Sequence, residues 1–166
     1  MAGRPTEDVL GPPTAPDKPA GADYESDFYS WSLDQARLLR EGQLAQIDRE
    51  NIAEEIESLG REQFKKLESA FRVLLMHMLK WDHQPKRRSR SWIISIKEQR
   101  LEVDDILKDN PGLRPRIPEA IDRAYRKAIL AAAKETKLDE AVFPKTLVYS
   151  FEDMMKREFV LWPANR

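Results

Sequence analysis

The apolar residues between positions 49 and 81 recur at intervals of mostly three or four, and no proline interrupts them. This spacing places them along one side of an α-helix. At 1.5 Å per residue, a helix of that length would extend about 50 Å, which is longer than most globular helices. Its apolar face must be covered by other elements. The stripe comprises Ile52, Ile56, Leu59, Leu67, Phe71, Leu74 and Met78, widened by Leu75 and Leu79.

Turn and capping signals set the limits of this helix and of a short one before it. Ser32 and Gln35 resemble a capping box, and Gly42 marks the end of the short helix. Asp48 is the expected N-cap of the long helix. Gly60, near the middle of the long helix, indicates a bend or a close crossing with another element.

Pro85 ends the long helical pattern, and two further helices are predicted after it. The third helix covers about residues 91–108 and stops at Asn110-Pro111-Gly112, a turn sequence. Pro118 is suited to the first turn of a fourth helix. Because the chain reverses at Pro85, the long helix and the third helix should form an antiparallel pair, and the fourth should pack across them.

The last part of the chain predicts a short helix capped by Ser150 and Asp153. Strand signals are nearly absent, apart from residues 146–149. The predicted fold is therefore all-α, an antiparallel helical bundle of about four to five helices with one long central helix.

The composition limits the domain organisation and the classes of function. Residues 1–22 hold five of the eleven prolines and almost no large apolar side chain, so we predict a disordered Pro-rich tail there and a single helical domain over residues 23–166. The absence of cysteine excludes disulfides, thiolate catalysis and cysteine-ligated metals. No apolar run approaches the roughly 20 residues of a membrane span. We expect a cytoplasmic protein with no membrane association.

Cations and tryptophans cluster where the long helix should meet the third. Four cations occur within five residues, just after a Lys-Trp pair and before a second tryptophan. Guanidinium groups and indoles together can line a site for phosphate or nucleic acid. The alternative is a solvated turn, or one that neutralises the acidic start of the long helix. The candidate binding residues are Lys80, Trp81, Lys86, Arg87, Arg88, Arg90 and Trp92.

Two opposite charges point toward the predicted core. Glu55 lies between Ile52 and Leu59 on the long helix, and Arg100 lies on the apolar stripe of the third helix. We predict a partly buried Glu55–Arg100 ion pair that is structural, because such pairs fix helix register more than they add stability. The alternative makes Glu55 a site carboxylate held by Arg100.

The two histidines give little support for metal or nucleophilic chemistry. His77 and His83 are six residues apart and would not share a helix face, and no Glu-x-x-His or His-Glu-x-x-His pattern occurs. His77 lies in an apolar stretch, which favours a hydrogen-bonded core histidine. No metal site and no cofactor is predicted.

Several ordered motifs follow one another along the chain. They are Asp27–Trp31, Asp48–Gly60, His77–Trp81, Arg87–Trp92, Arg100, Asn110-Pro111, Tyr125 and Phe143-Pro144. Together they resemble a bacterial domain-of-unknown-function family, number 29, and the likeness covers about residues 24–163. The resemblance implies a compact helical domain of a bacterial protein, and it carries no activity and no catalytic residues.

Three functional hypotheses follow. The first is a binding module that recognises an anionic ligand, such as nucleic-acid phosphate, through the basic and aromatic junction at residues 77–92. The second is a protein–protein or homodimerising adaptor that uses exposed aromatics such as Trp31, Tyr149 and Trp162. The third is an enzyme. It would centre on Glu55, His77, Lys80 and Arg100, and no activated nucleophile in the sequence supports it.

Overall fold

The computed structural model describes residues 23–161, and the predicted tail at residues 1–22 lies outside this range. The described residues form five α-helices and three short 3-10 segments, with no β-strand among them, so the all-α prediction is confirmed and the strand signal at 146–149 is wrong. The α-helices are α1 (Phe28–Arg40), α2 (Arg49–His83), α3 (Arg90–Asp109), α4 (Ile117–Thr136) and α5 (Phe151–Lys156).

The chain divides into two compact units within α2, between Glu55 and Ile56. The first unit contains α1 and the first residues of α2. The second contains the remainder of α2 together with the three later α-helices.

In the first unit, α1 begins one turn earlier than predicted. Asp27 is its N-cap, because the Asp27 carboxylate accepts a hydrogen bond from the Ser30 amide at 3.0 Å. Ser32 lies inside the helix and donates to the Tyr29 carbonyl at 2.8 Å, so the predicted cap at Ser32 is wrong. Gly42 follows the helix with a φ of +71°, a conformation that glycine adopts without strain.

Asp48 joins α1 to the start of α2. Its carboxylate accepts hydrogen bonds from the Asn51 amide and from the Trp31 indole, both at 3.3 Å, which confirms Asp48 as the N-cap of α2. Its own amide donates to the Gln35 side chain at 2.7 Å. The Tyr24 ring packs edge-on against Trp31 at 4.8 Å. These contacts make the first unit a small helical hairpin.

The core of the second unit is built on the C-terminal half of α2. The buried residues of α2 begin at Phe64 and continue to Trp81, and they join buried residues of α3, α4 and α5 in one hydrophobic cluster. Ile56 and Leu59 are 64% and 62% exposed, so the predicted apolar stripe is covered only in its second half.

Contacts at both ends of α3 show that it runs antiparallel to α2, as predicted. Near its start, the Trp92 ring lies 4.6 Å from Nζ of Lys80. Beyond its end, the Arg116 guanidinium lies 3.9 Å from the Phe64 ring. Between these two contacts the chain therefore runs back along α2 from Lys80 to Phe64, which are sixteen residues apart.

Helix α4 then runs in the same direction as α2. Arg123, near its start, lies 5.4 Å over the Phe64 ring, and Gln84 beyond the end of α2 donates to the Thr136 carbonyl at 3.0 Å. The fourth helix thus follows α2 along its buried half. The expectation that it packs across the pair is wrong, because Lys127 of α4 pairs with Glu68 and Glu135 pairs with Lys80, so both ion pairs are made along α2.

Gly60 makes no close crossing. A Cβ added at this residue would meet no heavy atom within 4 Å, and α2 continues through it without interruption. The glycine therefore costs helix stability, since an exposed interior position gains from a residue with less backbone freedom in the unfolded chain.

We expect Gly60→Ala to raise the free energy of unfolding by about 0.5–1 kcal/mol. Gly42→Ala is the contrasting variant, and it should lower that free energy because an alanine at φ +71° is strained. Urea denaturation followed by circular dichroism measures both. A loss of stability in Gly60→Ala would show that α2 is not an exposed regular helix at this point.

Candidate functional site

The bend between α2 and α3 is held by an arginine that the sequence assigned to ligand binding. Helix α2 ends at His83, a 3-10 turn covers Pro85–Arg87, and α3 starts at Arg90, so the predicted reversal at Pro85 is confirmed. Nε of Arg88 donates to the Trp81 carbonyl at 2.9 Å, and its guanidinium lies 4.9 Å from the Trp81 ring. Arg88 therefore ties the bend to the last turn of α2.

Lys80 and Trp81, two other predicted binding residues, are buried, at 6% and 4% exposed. The Lys80 ammonium forms an ion pair with Glu135 of α4 and lies over the Trp92 ring, which is itself partly buried. Trp81 packs edge-on against Phe159 at 5.3 Å. Both side chains face the bundle at the end of α2, so neither presents itself to a ligand on the surface.

Three of the predicted cations remain on the surface. Lys86, Arg87 and Arg90 are exposed, and within residues 23–161 their side chains have neither a carboxylate nor a hydrogen-bond partner. They flank the start of α3, where Ser89 is the N-cap but makes no capping hydrogen bond. The Ser89 hydroxyl is instead 2.9 Å from that of Ser91. Cations and uncapped amides therefore occur together at this helix end.

His77 is a hydrogen-bonded core histidine, as predicted. It is 9% exposed, and its Nδ1 donates to the Val73 carbonyl at 2.9 Å. Burial lowers the pKa of His77, so the neutral ring is the form present at pH 7. His83 makes the equivalent bond to Leu79, at 2.9 Å, and packs on Phe143 with ring centroids 5.0 Å apart.

Glu55 and Arg100, predicted as an ion pair, have other partners in the structure. Glu55 accepts a hydrogen bond from the Tyr24 hydroxyl at 2.6 Å, and this bond raises the pKa of Tyr24 to about 12. Arg100 donates to the carbonyls of the C-terminal segment, which fix that segment on α3. The acceptors are Met154 at 2.7 Å, Arg157 at 2.8 Å and Asp153 at 3.4 Å.

One charged cluster in the second unit was not predicted from the sequence. Asp82 accepts two hydrogen bonds from Arg157, at 2.6 and 2.9 Å, and one from the Tyr149 hydroxyl at 2.9 Å. Burial raises the pKa of Tyr149, and the Asp82 charge raises it further. Tyr149 and Arg157 lie 67 and 75 residues after Asp82 in the sequence. The only sequence signal for the contact is that an acidic residue lies near the end of α2 and a tyrosine and an arginine flank α5.

Most of the residues named for the adaptor hypothesis and the enzyme hypothesis are buried or already bonded within the fold. Trp31 and Tyr149 are 5% and 7% exposed, so the prediction that they form an exposed aromatic surface is wrong, and Trp162 lies outside the described residues. For an enzyme, His77 and Lys80 are buried and already bonded.

No cluster of three or more potential metal ligands occurs within the described range. None of the described helices is long and apolar enough to span a bilayer.

Comparison with known proteins agrees with the resemblance noted in the sequence. Residues 24–160 match the family model "Domain of unknown function DUF29", so the chain belongs to this family. No curated protein and no solved structure matches the chain.

Replacing Asp82 should destabilise the second unit in a pH-dependent way. Burial acts to raise the pKa of Asp82, but the bonds from Arg157 and Tyr149 outweigh it and the net pKa is lowered. Asp82→Asn should therefore lower the free energy of unfolding by about 1.5–3 kcal/mol at pH 7. Urea denaturation across a pH series is the measurement.

The sign of the pH effect follows from the lowered pKa. The carboxylate stabilises the fold fully above its unfolded pKa of about 3.9 and loses this contribution as the pH falls through the lower folded value. The difference between wild type and Asp82→Asn should thus shrink below about pH 4. Glu98→Gln is the control, since Glu98 is exposed and forms no ion pair within the described part of the chain. If the difference in unfolding free energy between wild type and Asp82→Asn stays constant with pH, this role for Asp82 is contradicted.

Proposed function

We propose that this DUF29 protein is a binding module for nucleic-acid phosphate, and that the binding surface is the outer side of the bend between α2 and α3. The observation that carries the proposal is the group of three exposed cations, Lys86, Arg87 and Arg90, around an uncapped helix start. We also propose a cytoplasmic location, in keeping with a chain that has no cysteine.

The unpaired state of these three cations supports the proposal. Several other cations of the second unit have an acidic partner, such as Lys127 with Glu68 and Arg123 with Glu119. A surface cation without an acidic partner is free to neutralise phosphate groups, and each phosphate that it neutralises releases counterions condensed on the nucleic acid. The bend therefore has charge that no internal contact has used.

The start of α3 adds a second attraction for phosphate. The first-turn amides of a 20-residue helix point outward and carry the positive end of the helix dipole. Ser89 leaves them without a side-chain cap. Phosphate groups bind well at such ends, especially with arginines beside them.

The turn is also rigid enough to present these groups in a fixed arrangement. Arg88 holds it to the Trp81 carbonyl, and Gln84 holds it to the end of α4. A preorganised turn loses less conformational entropy on binding than a flexible basic loop does. Arg88 acts here as a positioning residue, and the neighbouring cations make the contacts.

Fluorescence anisotropy with labelled single- and double-stranded DNA and RNA tests the proposal. We expect wild-type affinity to fall steeply with salt, and the triple variant Lys86→Ala/Arg87→Ala/Arg90→Ala to reduce the slope of log K against log salt by about two to three. That is the loss expected for three phosphate contacts.

The matched control is Lys65→Ala/Lys66→Ala/Lys108→Ala, which removes three other exposed cations that have no acidic partner among the described residues. It changes the net charge equally, so an effect confined to the bend variant separates a local site from the overall field. If wild type shows no salt-sensitive binding to any of the nucleic acids, or both triple variants weaken it equally, the proposed site is wrong.

A further inference from the structure

A small pocket lies between α3 and the C-terminal segment, and none of the three exposed cations of the bend lines it. Its volume is about 270 Å³, at the lower limit of small-molecule sites. Its apolar walls include Ile93, Phe159 and Val160, and its cationic side chains are Lys97, Arg100 and Arg157.

Arg100 has no carboxylate partner among residues 23–161. Its Nε and Nη2 atoms donate to backbone carbonyls, whereas Nη1 has no hydrogen-bond partner among the described residues. Carbonyl oxygens satisfy N–H groups but cancel no charge. Partial burial lowers the pKa of Arg100, which reports the cost of holding a cation there. An anion at Nη1 would relieve that cost.

The other charges of the lining leave a positive balance. Arg157 is neutralised by Asp82 behind it. Lys97 and Glu158 are exposed and form no ion pair with any residue in the described range. Among the lining residues, the two positive charges of Lys97 and Arg100 are therefore opposed by one negative charge, that of Glu158. The pocket thus favours a negative ligand group.

Phe159 gives the pocket an aromatic floor. The guanidinium groups of Arg100 and Arg157 lie 5.5 and 5.0 Å from its ring centroid. Ile93 and Val160 continue this apolar surface toward solvent. A ligand with an apolar or aromatic body could cover these side chains while its charged end remains at the cations.

We propose that this pocket binds a small organic anion, with a carboxylate or phosphate group at Arg100 and Lys97 and an apolar body of about one ring against Ile93 and Val160, above the 9% of Phe159 that remains exposed. The site is independent of nucleic-acid binding, because a polynucleotide does not fit a cavity of this size and the bend cations do not line it. Charge-assisted bonds to arginine, strengthened by partial burial, supply the recognition.

Titration of ¹⁵N-labelled full-length protein with sodium benzoate, followed by ¹H–¹⁵N correlation spectra, tests the proposal. Saturable shifts should map to the amides of residues 93–100 and 157–160. Benzamide, the neutral analogue, should bind at least about tenfold more weakly, since it offers no charge to Arg100. Phenyl phosphate is titrated in parallel, and the tighter of the two anions identifies the preferred head group.

The variants avoid Arg100 itself, whose loss would release the C-terminal segment. Val160 is 64% exposed, so Val160→Glu places a negative charge at the pocket without disturbing the core. It should weaken benzoate binding by about tenfold or more, whereas Val160→Gln should retain it within about twofold. Lys97→Gln should also weaken benzoate binding.

Three outcomes would overturn the proposal. They are equal affinity for benzoate and benzamide, shifts that map elsewhere, or equal binding by Val160→Glu and Val160→Gln. The bend variant Lys86→Ala/Arg87→Ala/Arg90→Ala should bind benzoate as wild type does, so failure of the nucleic-acid proposal and failure of this one remain distinguishable.

Discussion

Burial of the C-terminal half of α2 determines the rest of the second unit. From Phe64 to Trp81 the helix is buried on more than one side, and it includes Glu68, His77 and Lys80 as well as apolar residues. A buried charge needs a partner, because desolvation alone would cost several kcal/mol. Glu68 and Lys80 find theirs on α4, in Lys127 and Glu135. These two pairs, twelve residues apart on one helix and eight on the other, fix the register of α4.

Two aromatic rings in edge-on contact, Trp81 and Phe159, with an arginine at each end connect the bend to the pocket. Arg88 lies over Trp81, Trp81 packs against Phe159, and Arg100 lies over the same Phe159 ring. Each guanidinium group also donates to backbone carbonyls. The rings shield the arginines from water, and the carbonyls replace the lost hydration. This arrangement explains why most of the basic and aromatic residues at 77–92 stabilise the fold, while a few exposed cations there remain free to bind a ligand.

The sequence predicted local features well and long-range partners poorly. Apolar spacing, Asp48, Pro118 and the Ser150 capping box placed helices correctly, because those signals act within one or two turns. The pairing of Glu55 with Arg100 was inferred from the side each faces, and a helical face does not say which neighbour covers it. The exposure of Ile56 and Leu59 has the same origin, since periodicity shows an apolar side without showing what packs on it.

The candidate site illustrates this limit in more detail. Seven residues were expected to bind a ligand, and their density at one turn was a real signal. Composition alone could not separate Lys80, with its carboxylate partner on α4, from Lys86, which has none in the described chain. That distinction depends on contacts between residues 55 positions apart.

The two proposed sites also differ in the medium around their charges. The bend cations are exposed, where an ionic strength of about 0.1 M screens charges over about 10 Å, so only a polyanion with several closely spaced phosphates gains enough from them. Arg100 is partly withdrawn from solvent, where a single carboxylate interacts more strongly and salt screens less. The two proposals thus assign anion binding by different means to two places on a protein with a net charge of only −1. Local burial, more than the number of cations, decides which kind of anion each place prefers.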